Sequence, residues 1–295
     1  MNIETFLHQI FSGLATGGIY ASMALALVMI HQATHLINYA QGEMAMFSTF
    51  IAWTLVQVGI HVAWAVLAAI ALSFVFGGLL EYAIVRQVVR RSDEHGPVIL
   101  TIGLFMIFNN LAGAIWLYDP HVIHVMPSGV LTLGLIRMSY QSVGTVVALL
   151  LTLLFLFLLF RHTRLGLSLR AAVSNRESAS LCGVKTGRML MFGWCLAAAL
   201  GALAGALVAP ALFLSPHMMA PVLAYALASA ALGGFDSLPG AVIGAMIIGI
   251  SEALAGAYIG FIGTDLKVMI PVGVLFVVLL FKPEGLMGRK SVSRV

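Results

Sequence analysis

Apolar and polar positions in this chain come in blocks. Long runs of Leu, Val, Ile, Ala, Met and Gly fall at 9–30, 42–58, 63–85, 97–118, 141–160, 189–212, 219–233, 240–259 and 267–281, separated by short polar strings. A helix rising about 1.5 Å per residue needs about 20 residues to cross a hydrocarbon core. The runs therefore predict an all-α polytopic membrane protein with about nine transmembrane helices in one domain over 1–295. Two runs are short: 42–58 opens on Gly42 and Glu43, and 219–233 closes on Gly233-Gly234. Short glycine-ended segments suit broken or re-entrant helices, so eight spans plus a re-entrant element stays open as a count.

Composition removes the main alternative. With 61% hydrophobic and 9% charged residues among 295, there is too little charge to cover a water-facing surface of this size. Where the charges fall says more. Residues 1–85 carry only Glu4, Glu43 and Glu81, and 189–266 only Asp236, Glu252 and Asp265. Thirteen of the fifteen basic residues form three groups, Arg86/Arg90/Arg91, Arg161/Arg164/Arg170/Arg176/Lys185/Arg188 and Lys282/Arg289/Lys290/Arg294. The positive-inside rule puts all three groups on the cytoplasmic face. Three spans before Arg86, two between the first and second groups and four before Lys282 then give a periplasmic N-terminus and a cytoplasmic C-terminus.

The connecting segments differ in kind. Residues 119–140 hold Asp119-Pro120 and Pro127-Ser128-Gly129 beside an aliphatic, β-branched run, which reads as a small extended or hairpin element in a periplasmic loop. Residues 161–188 are the longest polar stretch, yet Leu165, Leu167, Leu169, Val173, Leu181 and Val184 are too many apolar positions for a solvated linker. A short amphipathic helix starting near Ser174-Asn175, with Glu177 in its first turn and Gly183 ending it, is the expected element. It would present a surface at the cytoplasmic face.

Little in the chain suggests catalysis. There is no Gly-x-x-x-x-Gly-Lys-Ser/Thr phosphate loop, no His-Glu-x-x-His and no Gly-x-Ser-x-Gly elbow, so ATP binding by this chain and enzymatic chemistry are both unsupported. His31/His35 and His121/His124 have helical spacing but no Cys or carboxylate to complete a metal site. Cys182 and Cys195 form no framework. The N-terminal run has no Lys or Arg ahead of it, so it is read as retained rather than as a cleaved signal.

Polar residues at bilayer depth are the better lead, because ionisable groups there are costly and functional by default. Asn38, Gln41 and Glu43 in one string, Asn109 and Asn110 in 97–118, and Glu252 within 240–259 are the candidates for a translocation path, with Thr16, Tyr20 and Ser22 as further polar lining. Glu81, a turn from Arg86, is expected near the interface. Gly-x-x-x-Gly pairs at Gly13/Gly17, Gly201/Gly205, Gly240/Gly244 and Gly256/Gly260 support close helix packing.

Several strings together resemble the membrane permease subunit of bacterial ABC importers for branched-chain amino acids. They are Gly-Leu-Ala-Thr-Gly-Gly-Ile-Tyr-Ala at 13–21, Leu-Ile-Asn-Tyr-Ala-Gln-Gly-Glu at 36–43, Arg170-Ala with Gly183-Val184, Ala204-Gly205-Ala-Leu, Leu-Gly-Gly-Phe-Asp-Ser-Leu-Pro-Gly at 232–240, and Phe-Lys-Pro-Glu-Gly-Leu-Met-Gly at 281–288. The resemblance covers nearly the whole chain. It implies a permease-like bundle in the inner membrane, taking up branched-chain amino acids or a related small polar solute. The implied partners are cytoplasmic ATPase subunits that bind the ATP, a periplasmic solute-binding protein, and a second permease subunit, either homologous or a copy of this chain. No cofactor in this chain and no nucleic-acid partner is expected. Glu177-Ser-Ala179-x-x-x-Gly183 resembles the Glu-Ala-Ala-x-x-x-Gly coupling loop of ABC permeases and assigns 161–188, with Arg170, Glu177, Ala179 and Gly183, to ATPase docking, although the later hydrophobic-proline part of that pattern is absent. Gln41 stands where the family usually has His, and Asp236 adds a charge, which leaves the solute open. The rival reading is an ion-coupled carrier or facilitative channel with Glu43 or Glu252 as its proton-sensitive group. A purely structural membrane subunit is a third.

Overall fold

The structure is a computed structural model and describes residues 3–34, 36–91, 95–127, 129–133, 136–258, 269–282 and 284–288. Helices run through each apolar block: α1 Ile3–Thr34, α2 Gln41–Gln57, α3 Val62–Leu80, α4 Arg86–Arg91, α5 Gly96–Trp116, α6 Tyr140–His162, α7 Arg164–Ser174, α8 Arg176–Leu181, α9 Thr186–Leu212, α10 Met219–Gly233, α11 Leu238–Tyr258 and α12 Met269–Phe281. A π-helical turn, Glu81–Val85, joins α3 to α4, so one continuous helix runs over Val62–Arg91. Among the described residues, six helices are long and apolar enough to cross a membrane: Thr5–Thr34, Val62–Arg91, Gly96–Trp116, Tyr140–His162, Thr186–Leu212 and Leu238–Tyr258. The molecule is an all-α polytopic membrane protein. The remaining apolar helices are shorter, with 17 residues in α2, 15 in α10 and 13 in α12.

The chain divides into two compact units, Met1–Val28 with Met126–Leu149 and Pro221–Val295, and Met29–Val125 with Leu150–Ala220. In the first unit, α1 and α11 run antiparallel in backbone contact. A Cβ at Gly13 would lie 2.7 Å from the Ile250 Cα, and one at Gly249 would lie 2.5 Å from the Gly13 carbonyl oxygen. Small residues allow this approach, which is the membrane counterpart of core packing because lipid supplies no hydrophobic drive between helices. The α10–α11 crossing is built in the same way, from Gly240 and Gly244 against Gly233 and Ser229. The unit also contains the antiparallel hairpin β1 Val130–Leu133 and β2 Ile136–Ser139, registered Val130 to Ser139.

In the second unit, α9 is the central helix, with α3 and α2 packed on it. Gly77 and Gly78 of α3 press against Trp194, Cys195 and Ala198, while Gly201 and Gly205 receive Gln41, Ala45 and Thr49 of α2. A single backbone bridge between His121 and Leu214 closes the ends of α5 and α9. The residues that turn the chain there, Leu117 and Phe213, hold φ of 65° and 58°, a strained conformation for residues with side chains that persists where the surroundings pin it. Trp53 stacks on the His121 ring at 4.3 Å and Phe50 on Trp116 at 4.9 Å.

The segment 161–188 holds the expected short helix, α8, which starts after Asn175, whose backbone is extended and whose side chain accepts from the Ser178 amide at 2.9 Å, and ahead of it a second helix, α7. The unforeseen helix α7 is capped by Thr163, whose hydroxyl accepts from the Gly166 amide. Gly166 lets α7 fold back tightly onto Leu159 and Phe160 of α6.

Glu81 is buried, 4% exposed, and ion-paired. Side chains five apart lie about 140° apart around an α-helix, but the π turn brings Glu81 and Arg86 onto one face. Arg86 then grips both Glu81 oxygens at 2.6 and 3.1 Å and donates to the Gly187 carbonyl at 2.7 Å.

Candidate translocation and docking sites

The polar residues singled out from the sequence fall into distinct settings. In the first unit, Glu252 of α11 accepts a hydrogen bond from the Tyr20 hydroxyl at 2.8 Å. The Tyr20 ring stacks on Tyr225 of α10 at 4.7 Å, with the rings 18° from parallel. Both tyrosines are buried, and the carboxylate is half-buried. Beside it opens a cavity of about 200 Å³ lined by Gln9, Ser12, Thr16 and Glu252, with Gly249, Ala253, Gly256 and Ala257 as the small residues that leave it room. Tyr225 was not a sequence candidate. It lies more than 200 positions from its partner Tyr20, and no local pattern marks it.

In the second unit the candidates of α2 and the segment before it are packed shut. Asn38 and Gln41 are fully buried. The Asn38 amide donates to Gln41 Oε1 at 3.2 Å and its Oδ1 accepts from the Ala40 backbone at 3.1 Å, an Asx turn that starts α2 in place of a conventional cap. Gln41 Nε2 donates to the Ala197 carbonyl of α9 at 2.8 Å. Glu43, 1% exposed in the first turn of α2, accepts from Asn109 Nδ2 of α5 at 3.2 Å. The same amide donates to the Pro216 carbonyl at 2.9 Å and lies 3.4 Å from His217 Nδ1. Asn110, next to Asn109, points the other way. It is on the exposed face of α5 and donates to the Met106 carbonyl of its own helix at 2.7 Å. A hollow of about 340 Å³ in this unit is apolar except for Ser48 and Ser73, whose hydroxyls are bonded to each other at 2.6 Å.

The α7–α8 pair carries the other group of candidates. Arg170, Glu177 and Gly183 are exposed, and Ala179 is buried. Gly183 holds φ of 83°, a left-handed conformation that glycine alone adopts freely, so the helix ends where the sequence pattern placed its stop. Leu165, Leu167 and Leu181 are exposed among these charges, Leu181 by 88%.

Comparison with known proteins identifies the family. The family model for the branched-chain amino acid transport system / permease component matches residues 9–279. The chain belongs to this family. Among curated relatives, the high-affinity branched-chain amino acid transport system permease protein LivH of Escherichia coli K12 is 30% identical over 305 residues, covering 98% of each chain. BraD of Pseudomonas aeruginosa, named for the same system, is 28% identical over 314 residues and 99% of each chain. Among solved structures, a chain of PsaBC from Streptococcus pneumoniae, determined in complex with Fab, superposes with a TM-score of 0.51 over 95% of this chain and 92% of that one, at 12% identity. That likeness shows the fold alone. The molecule is a multi-pass membrane permease of an amino-acid transport family.

Proposed function

We propose that this permease is the translocation subunit of an ABC importer that takes up branched-chain amino acids, or a closely related small polar solute, across the inner membrane. The observation that carries the reading is the near full-length likeness to permeases named for high-affinity branched-chain amino acid transport. Its partners in this reading are cytoplasmic ATPase subunits, a periplasmic solute-binding protein and a second permease subunit, homologous or a copy of this chain. ATP is bound and hydrolysed by the ATPases.

All nine long apolar segments then cross or enter the membrane, with the N-terminus periplasmic and the C-terminus cytoplasmic. The distribution of basic residues supports this orientation. At about 1.5 Å per residue, the 15 residues of α10 fall short of a full crossing, which favours a broken or re-entrant passage for that segment. The hairpin segment 119–140 faces the periplasm in this topology, and α7–α8 faces the cytoplasm as the docking site for the ATPase. Exposed leucines next to Arg170, Arg176 and Glu177 support that role, since large apolar side chains exposed among charges mark contact surfaces. ATP-driven movement of the docked subunits would reach the bundle through α9 and, by way of Arg86 and Gly187, through α3.

Of the six sequence candidates for the path, Glu252 is the one that lines a polar cavity, and it is assigned to the path. Asn38, Gln41, Glu43 and Asn109 act as joints holding α2 against α5 and α9, and Asn110 faces away from them.

Reconstitution tests the reading. Proteoliposomes holding this chain with its ATPase, partner permease and binding protein should accumulate leucine only with ATP and binding protein present. Leucine uptake by the chain alone under a proton gradient would favour the ion-coupled carrier and overturn the proposal. Glu177→Arg and Gly183→Val should each uncouple ATP hydrolysis from uptake, lowering transport per ATP at least about tenfold with membrane insertion unchanged. Unaltered coupling in both would remove α7–α8 as the docking site.

A further inference from the structure

We propose that Arg86 is a positioning residue for transport: it locks the first turn of α9 to the π turn of α3, so that both helices follow the docking element α7–α8 as one body. This rests on the docking role proposed above and names the joint through which docked ATPases would move the second unit.

The docking element ends almost on the joint. Gly183 turns the chain out of α8 at φ of 83°, and α9 starts at Thr186, with the Arg188 amide donating to the Lys185 carbonyl at 2.9 Å. Gly187 is six positions after Leu181, the last residue of α8. A link this short has little slack in which a displacement could be lost. The Gly187 carbonyl is the one that Arg86 Nη2 holds at 2.7 Å. The same guanidinium grips both oxygens of Glu81 and lies 5.2 Å from the centre of the Tyr82 ring. A planar fork shared between a carboxylate and a carbonyl fixes direction as well as distance.

Two attachments hold α3 and α9 together. The first is at Gly77 and Gly78, where an added Cβ would lie 2.7 Å from the Trp194 carbonyl oxygen and 2.6 Å from Cys195 Sγ. Arg86 makes the second, eight positions beyond Gly78, or about 12 Å along the helix. One contact is a pivot, whereas two at this separation hold the crossing angle. The π turn makes the second attachment possible, since in α-helical register Arg86 would leave the Glu81 face. Such turns are rare and gather at functional sites. A buried ion pair is a poor source of stability, because desolvation offsets the attraction, and its best-attested use is to fix one geometry or to switch. The Glu81 and Arg86 side chains are 5% and 21% exposed, so the pair suits fixing register better than strengthening the fold.

The double variant Glu81→Leu/Arg86→Met removes both charges and leaves neither buried alone. In the reconstituted importer it should assemble and melt at or above the parent's temperature, while leucine taken up per ATP hydrolysed falls at least about tenfold. Arg86→Lys keeps the charge but not the fork and should recover part of that loss. Spin labels at two exposed positions, Leu79→Cys and Arg188→Cys, report the α3–α9 separation on a Cys182→Ala background that retains the buried Cys195. That distance should stay single through the ATP cycle with Arg86 in place and split in the double variant when ATP is added. Parental uptake per ATP in the double variant, a distance that stays single without Arg86, or a double variant that melts well below the parent each overturns the proposal. Uncoupling by the double variant while Glu177→Arg and Gly183→Val stay coupled would sink the docking reading and leave the joint standing. The reverse pattern would sink the joint alone.

Discussion

Glu43 and Glu252 are both carboxylates on apolar helices, and each accepts a hydrogen bond from a distant helix, yet their surroundings are opposite. Glu43 is 1% exposed and bonded to an Asn109 amide that also binds the Pro216 carbonyl. Glu252 accepts from Tyr20 but borders a cavity lined by further polar side chains. An acid at bilayer depth is therefore not by itself a mark of the path. What separates the two is whether the carboxylate is fully enclosed or borders a cavity. The first arrangement fixes helices in register and the second is available to a solute.

The largest effect should come from breaking the frame that keeps the open site open. Gly249→Val would put a Cβ 2.5 Å from the Gly13 carbonyl oxygen and from the Gly17 amide nitrogen. Backbone cannot yield there as a flexible side chain would, so overpacking should cost about 3 kcal/mol. A steep fall in monodisperse protein and in thermal stability in detergent is the expected result. Unchanged stability would mean that α1 and α11 are not in backbone contact.

Within the closed cluster the effect should be smaller and confined to stability. Gln41→Leu removes the donor to the Ala197 carbonyl and the acceptor of the Asn38 amide. A loss of about 1.5 kcal/mol follows from hydrogen bonds inside membrane bundles being individually modest while an unsatisfied buried group costs more. Leucine uptake per folded molecule should stay within about twofold of the parent. A selective loss of uptake at unchanged stability would move Gln41 from joint to path and erase the contrast.

The same contrast explains what the sequence could tell. The apolar blocks were visible because a membrane helix declares itself in a single continuous run of about 20 residues, and Gly183 showed the end of α8 because a left-handed residue favours glycine. Helix α7 escaped although it left a trace: Thr163 sits three positions before Gly166, and Leu165, Leu169, Ala172 and Val173 follow helical spacing. The alternation Leu165, Leu167, Leu169 masked it. The π turn had no signature apart from an acid and a base five apart, a spacing that does not share a face on an ordinary α-helix. Tyr20, Tyr225 and Glu252 could not be grouped at all from sequence, since 232 positions separate the bonded pair. Asn109 and Asn110 looked equivalent as neighbours, and only the helix's rotation sends one inward and the other out.

The finest test is Glu43→Gln set beside Glu252→Gln. Gln retains a carbonyl oxygen that can accept from Asn109 Nδ2, so the link from α2 to α5 persists. What disappears is a negative charge in the first turn of α2, where it interacts favourably with the helix N-terminus by about 0.3–1 kcal/mol. Stability should therefore drop by less than about 1 kcal/mol in detergent unfolding, and leucine uptake should remain within about twofold. Glu252→Gln makes the same chemical change beside the polar cavity assigned to the path, and should lose uptake. An equal loss in the two variants would put both carboxylates on the path and show that hydrogen-bond closure around Glu43 opens during the transport cycle.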